Sequence, residues 1–153
     1  MDIKAFLKTN TIIHLALVAG VTVFLIYSYL QSEEFNAEMD SSNPFLYLVP
    51  IFAIVGYFGS QFIFKKMISS VNKDVSLENK LKTYQTASII KYALLEGPAF
   101  FAIVAYSLTG NALPLVIAIC LVLYLAVQRP NLHKLMDTLP LTSDEKRKLQ
   151  HNQ

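Results

Sequence analysis

Four apolar blocks, Thr11–Leu30, Phe45–Phe64, Ala87–Leu108 and Ala112–Gln128, dominate this chain, and most of its charges are gathered before, between and after them. A helix needs about 20 residues, within a range of about 17–25, to cross the hydrocarbon of a bilayer. The first three blocks meet that requirement. The fourth is at the short end, and Pro114 near its start suits the first turn of a helix. Only 16% of the residues are charged and 54% are hydrophobic, which is not the balance of a water-soluble domain. The pattern predicts an all-α membrane protein, one domain over residues 1–153. Its four transmembrane helices span about 11–30, 45–64, 87–108 and 112–128. The expected partner is the lipid bilayer, and the expected place is the inner (plasma) membrane, crossed several times.

Lys4 and Lys8 ahead of the first block imitate a secretory signal. The apolar run is too long for one, and no small-x-small cleavage site follows at Tyr29–Glu34, so a retained span is expected. Cys120 is the only cysteine. No intrachain disulfide can form, and the residue reads as a small buried hydrophobe.

Charge sets the expected orientation. Lys4 and Lys8 precede block one, Lys65, Lys66, Lys73, Lys80 and Lys82 lie between blocks two and three, and Arg129, Lys134, Lys146, Arg147 and Lys148 follow block four. The connection Gln31–Asn43 holds Glu33, Glu34, Glu38 and Asp40 with no basic residue, and Thr109–Asn111 has no charge. Basic residues mark the cytoplasmic side, so both termini are expected there. Topology explains the basic residues sufficiently, and no nucleic-acid partner is implied.

Small residues recur at helical spacing. Ala16 and Gly20 in block one form a small-xxx-small pair, and Ala53, Gly56 and Ser60 form a stripe in block two. Such pairs let helix backbones approach closely, so these residues, with Ala93 in block three, are read as packing positions and as grounds for self-association or membership of a membrane complex. Pro50 removes a backbone bond in the second turn of block two and is expected to bend it. SSNP at 41–44 reads as a turn leading into a helix. Ser76 is a candidate cap, and Leu77, Leu81, Tyr84, Ser88 and Tyr92 follow at steps of three or four, so the third helix is expected to begin near residue 76, well before its apolar part. Beyond Pro130, Leu132, Leu135, Met136 and Leu139 have amphipathic helical spacing. Thr142 and Glu145 then form a capping box. This short cytoplasmic tail, 130–153, is expected on the membrane surface or against the cytoplasmic loop, or else offers a surface to a partner protein.

Blocks one and three align without a gap. IIHLALVAGVTVFLIYSY at 12–29 matches IIKYALLEGPAFFAIVAY at 89–106. The shared positions include Ile12 with Ile89, Ala16 with Ala93, Gly20 with Gly97 and Phe24 with Phe101. Duplication and chance similarity between apolar helices are both open. A true duplication makes the chain two parallel helical hairpins. His14 stands opposite Lys91, and Ala19 stands opposite Glu96. Only the second copy carries the acid.

Glu96 is the residue that asks for a function. A charged side chain at mid-membrane costs about 2.5–3.5 kcal/mol on insertion scales and usually faces protein or water. Gly97 and Pro98 follow it, and Pro98 cannot donate to the carbonyl of Leu94, a helix-kink signal in the turn that holds the acid. A protonated Glu96 can donate to that freed carbonyl or to a facing helix. Ser88, Tyr92 and Glu96 recur at steps of four, a candidate polar stripe leading from the cytoplasmic end to the acid. Lys91 is about 140° around the helix from Glu96. It is expected to snorkel to the interface, with an interhelical ion pair as the alternative.

Within the blocks the only histidine is His14, and two axial ligands would be wanted for a bundle haem. No zinc spacing, phosphate-binding glycine loop or serine nucleophile motif occurs, so neither an enzyme, a metal site nor a cofactor is expected.

The segment ALLEGPAFFAIVAY resembles the carboxylate helix of rotary-ATPase proteolipids, the ring-forming c-type subunits. The resemblance implies that Glu96 is an ion-carrying carboxylate, with Gly56 and Gly59 weakly matching the glycine-bearing inner helix. It covers little more than that segment. The charged, helix-like connection Lys65–Thr86 stands where that family has a short polar loop, the glycine repeat is thin, and the terminal topology is shifted by one helix. The whole chain also looks like the small, uncharacterised four-helix membrane proteins of bacteria with an E-G-P-A segment and an R-P-x-x tail, a likeness that implies no activity. Two readings follow. One is a proton- or cation-linked transporter or energy-coupling subunit that uses Glu96. The other is a structural or accessory subunit in which Glu96 is an interhelical hydrogen-bonding group.

Overall fold

A computed structural model describes residues 3–32, 35–38 and 40–151, the last without its side chain, so Glu33 and Glu34 of the acidic connection lie outside the described residues. Six helices follow in order: α1 (Ile3–Gln31), α2 (Phe45–Ser69), α3 (Leu77–Thr109), α4 (Ala112–Val127), α5 (Leu132–Thr138) and α6 (Ser143–His151). Among the described residues the only strand-like pairing is an isolated bridge, Asn36 with Asn111.

α1, α2 and α3 are each long and apolar enough to cross a membrane. α4 has 16 residues and reaches about 24 Å, short of the hydrocarbon thickness of about 30 Å. It becomes a fourth span only when joined to α5, from which it is bent by 86°. Arg129, Pro130 and Asn131 make that corner, the proline preventing continuation of α4 and the Asn131 side chain capping α5 by accepting from the Lys134 N–H at 2.8 Å.

Ring contacts fix the directions. His14 meets Tyr92, Phe24 meets Phe100 and Tyr29 meets Tyr106, so α1 and α3 run parallel. Phe45 and Phe52 both meet Phe101 while Phe64 meets Tyr84, so α2 runs antiparallel to α3. α3 is the hub. It packs along α1, α2 and α4, whereas α1 and α2 barely touch one another.

The hub is lined by small side chains. Ala99, Ala102 and Ala105 of α3 and Ala118 of α4 are buried among Val21, Val49, Ile103 and Leu125. Large apolar side chains point outward instead: Val23, Phe58 and Phe62 are 65%, 66% and 68% exposed, while His14, Ser60 and Ser88 are buried. Apolar outside and polar inside is the arrangement that suits a hydrocarbon solvent. Cys120 follows the outward pattern. It was expected among the buried hydrophobes, but it is exposed, because its position on α4 faces away from α3.

α3 begins where the sequence placed it. The Ser76 side chain accepts from the Asn79 N–H at 3.4 Å, and the helix ends at Gly110, whose φ of 62° is left-handed and needs a glycine. α2 and α3 run through Pro50 and Pro98 as single helices. At the far end, Asn36 and Asn111 lace the connection between α1 and α2 to the α3–α4 turn: the Asn36 N–H donates to the Gly110 carbonyl at 3.0 Å and the Ala112 N–H to the Asn36 carbonyl at 2.8 Å.

At the basic end, a second cluster joins both ends of the chain. Ile3 and Phe6 of α1 pack with Ile68, Leu81, Tyr84, Leu135, Leu139 and Leu149. The tail is therefore docked on the α2–α3 connection. The capping box is present, with the Thr142 N–H donating to Glu145 Oε2 at 2.8 Å and the Glu145 N–H donating to Thr142 Oγ1 at 3.3 Å. The same carboxylate takes Lys80 Nζ at 2.8 Å, and the Lys80 side chain is fully buried.

Candidate functional site

The residues singled out around Glu96 do not form one group. Ser88, Lys91 and Tyr92 gather at the basic end of α4, and Glu96 stands apart from them.

The gathering point is the C-terminus of α4, where the last turn of a helix leaves carbonyls without helical partners. Tyr92 donates its hydroxyl to the Gln128 carbonyl at 3.2 Å. Lys91 Nζ donates to Gln128 Oε1 at 2.8 Å and lies 4.9 Å from the centre of the Phe64 ring. The lysine does reach toward the helix end, but its contact is an interhelical bond to a neutral amide, not an ion pair. From α1, His14 Nε2 lies 2.8 Å from the Leu125 carbonyl. A carbonyl only accepts, so that nitrogen carries a proton. A cation or donor at a helix C-terminus also meets the negative end of the helix dipole. The His14 ring packs edge-on against Tyr92 at 4.9 Å. Three helices are thereby tied together at one depth.

Two polar atoms are left over. Asn10 Nδ2 and His14 Nδ1 are buried without a partner among the described residues. They sit one turn apart on the same side of α1. His14→Phe keeps an aromatic ring against Tyr92 and removes the bond to Leu125. The expected result is a loss of about 1 kcal/mol in detergent unfolding, with helix content unchanged by circular dichroism. A midpoint equal to the wild type would show that the bond carries no stability.

Glu96 is half-buried on α3, and neither a hydrogen bond nor an ion pair joins it to a described residue. The expected bond to the freed Leu94 carbonyl is not made. Leu94 is two residues back, about 200° around the helix, and its carbonyl faces α2. There Gly56 fills the gap: a Cβ on Gly56 would stand 2.6 Å from that carbonyl and 2.5 Å from Pro98 Cγ. Proline and glycine meet as complementary shapes. The expected polar stripe is also interrupted, because Tyr92 spends its hydroxyl on α4.

The α3 surface beside Glu96 is bare. Ala93 and Gly97 are exposed, as are Ile89 and Val104 at neighbouring positions on the same face. A Cβ on Gly97 would meet nothing within 4 Å. Of the stripe in α2, Gly56 and Ser60 are buried and Ala53 is half-buried, with the Ser60 hydroxyl donating to the Tyr57 carbonyl at 2.7 Å. The pair in α1 behaves differently. Ala16 and Gly20 are exposed, and a Cβ on Gly20 would also meet nothing within 4 Å. Two of the three small-residue sets therefore face away from the bundle.

Gln128 and Tyr124 were not among the candidates. Gln128 draws in Lys91 and Tyr92, and Gln61 donates to the Tyr124 hydroxyl between α2 and α4. A polar residue at the end of an apolar block is the signal that could have found Gln128. Among the described residues no three His, Cys, Asp or Glu side chains converge as a metal site. No family model matches the chain, and neither a curated protein nor a solved structure matches it.

Proposed function

We propose that this chain is a membrane-embedded subunit of a larger assembly, built either from its own copies or with another protein, and that the bare face of α3 receives a transmembrane helix. The observation that carries this reading is Glu96, half-buried beside the exposed Ala93 and Gly97, with no partner among the described residues. Small residues admit a second backbone, and a polar group between them gains a bond that lipid cannot offer. A protonated Glu96 donates across that junction. The outward pair Ala16 and Gly20 gives α1 a similar surface. The basic end is taken as cytoplasmic from its lysines and arginines, which puts both termini in the cytoplasm. The likeness of the α1 and α3 sequences is taken as the trace of a duplicated hairpin.

The test is the mass of the protein extracted in a mild detergent. Wild type and Glu96→Gln are expected to run as a larger species, since glutamine can still donate. Gly97→Leu, whose Cβ would meet nothing within 4 Å among the described residues, is expected to run as a monomer with unchanged helix content. A wild type that is monomeric in mild detergent and in native membranes would overturn the reading.

A carboxyl without a partner among the described residues also favours a second reading, a proton- or cation-linked component. Glu96 would then react with a hydrophobic carbodiimide, and Glu96→Gln would abolish proton flux in vesicles. Absence of both effects would remove it.

A further inference from the structure

Beside Gln128, a cavity of about 100 Å³ opens between α2, α3, the end of α4 and α5. Drug-sized ligands occupy pockets of about 300–1,000 Å³, so this one has room for a single compact group. Its walls are polar and cationic: Lys91 from α3 and Lys134 from α5 line it, together with Ser88, Tyr92 and Gln128. None of its lining side chains is acidic. The nearest acid in sequence, Asp137, lines the neighbouring groove and is paired with His133 at 2.6 Å.

The donors are not used up. An ammonium has three N–H groups. Lys91 spends one on Gln128, and Lys134 spends two, on the Val127 and Arg129 carbonyls at 3.2 and 3.3 Å. The Tyr84 and Ser88 hydroxyls, each in a residue only 4% exposed and bonded to one another, complete the wall without adding a free donor. Two like charges facing one small cavity repel each other until an anion sits between them.

The surroundings say what kind of anion. The cavity shares Phe64 and Thr138 with an open groove of about 560 Å³, whose walls include Ile68, Val71, Leu139 and Pro140. An acceptor-only group with an apolar body attached matches this pairing. Basic pockets between spans at the cytoplasmic boundary bind phosphate-bearing lipid headgroups. We infer that the cavity between Lys91 and Lys134 binds a phosphate group, that of an anionic phospholipid, with the apolar part of the lipid against Phe64 and the adjoining groove.

The full chain would be unfolded by heat in detergent micelles doped with phosphatidylglycerol, in micelles doped with phosphatidylcholine, and with inorganic phosphate alone. Phosphatidylglycerol is expected to raise the midpoint and phosphatidylcholine to leave it unchanged. The apparent affinity is expected to fall roughly fivefold for each lysine neutralised in Lys91→Gln and Lys134→Gln, the factor for one cation at an anionic surface. Lys66→Gln, on the exposed end of α2, is the charge control and is expected to respond like the wild type. A rise with inorganic phosphate alone that is lost in the double lysine variant would keep the phosphate site and assign it to a soluble ligand. Three outcomes would overturn the proposal: no rise with either, a rise retained in the double variant, or an equal loss in Lys66→Gln. The double variant should keep wild-type helix content, so a lost response reads as lost binding.

Discussion

Gly56→Ala is expected to lower the stability of the bundle by about 1–3 kcal/mol, the range for an overpacked core, and Gly56→Leu to prevent the native packing of α2 on α3. The added carbon would stand 2.5 Å from Pro98 Cγ and 2.6 Å from the Leu94 carbonyl oxygen. Neither neighbour can swing aside, since one belongs to a rigid ring and the other to a helical backbone. Relief requires the two helices to separate, and α2 on α3 is the most extensive helix pair in the protein. Separation would also leave the carbonyl that Pro98 deprives of a donor facing an enlarged gap. Unfolding followed by circular dichroism in increasing dodecyl sulfate measures the effect. Gly59→Ala is the matched control, because a Cβ there meets nothing within 4 Å, and the change favours helix formation. Equal midpoints for Gly56→Ala and wild type would refute the close contact.

Glu145→Ala is expected to have the largest effect at the basic end. Lys80 Nζ donates to both Glu145 oxygens, at 3.0 and 2.8 Å, and to the Lys73 carbonyl at 2.8 Å. Removing one partner of a buried pair leaves a charge without compensation, at a cost of about 3–5 kcal/mol. That cost falls on the docking of α6, so the variant is expected to release the tail. Brief trypsin treatment would then cut at Lys146, Arg147 or Lys148 at least tenfold faster, since about 1.4 kcal/mol already corresponds to tenfold in the open population. The paired replacement Lys80→Met with Glu145→Leu is expected to restore most of the protection, because an apolar pair of similar volume removes the uncompensated charge. Unchanged cleavage in Glu145→Ala would show that the pair does not hold the tail.

The same contact has a pH dependence. Burial works against the ionised form of Glu145, but the Lys80 ammonium and the bonds from Thr142 outweigh it and hold the carboxyl below its ordinary value of 4.5. A folded value below the unfolded one means that the stabilisation is complete above pH 4.5 and is lost as the pH falls through the folded value. Tail release is expected in acid and not in mild alkali.

Much of the fold could be read from periodicity and punctuation, because both act locally. Ser76, Pro130 and the Thr142–Glu145 box all mark helix boundaries, and α3, α5 and α6 begin at or just after them. The spacing of Leu135 and Leu139 marked an apolar face on the tail but left open whether the membrane, the cytoplasmic loop or a partner protein covers it. What could not be read was the destination of each face. Ala53, Gly56, Ser60 and Ala16, Gly20 look alike in sequence, yet the first set packs on α3 and the second faces outward. Small size permits close approach without saying to what. Cys120 was misplaced for the same reason, since an apolar helix in lipid has no hydrophilic side to mark its exterior. The bond from His14 to Leu125 crosses 111 positions, and no local pattern encodes such a distance. Glu96 was legible as an anomaly, whereas its lack of a partner among the described residues depended on which way α3 was turned.

The sparse contact between α1 and α2 has a consequence for biogenesis. Both helices leave the ribosome before α3, and a helix inserted in lipid is stable alone because its backbone bonds are internal. With little to hold on to in each other, they would remain separate in the bilayer until α3 is made. The bundle therefore closes only when the third helix arrives and gathers the earlier two against itself. A chain ending after Asn72 and inserted in the bilayer should show no protection of α1 by α2, and one ending after Gly110 should show α1 and α2 each protected by α3. The timing of assembly is thus set by one helix, and a premature stop before it would leave two unassembled spans exposed to quality control.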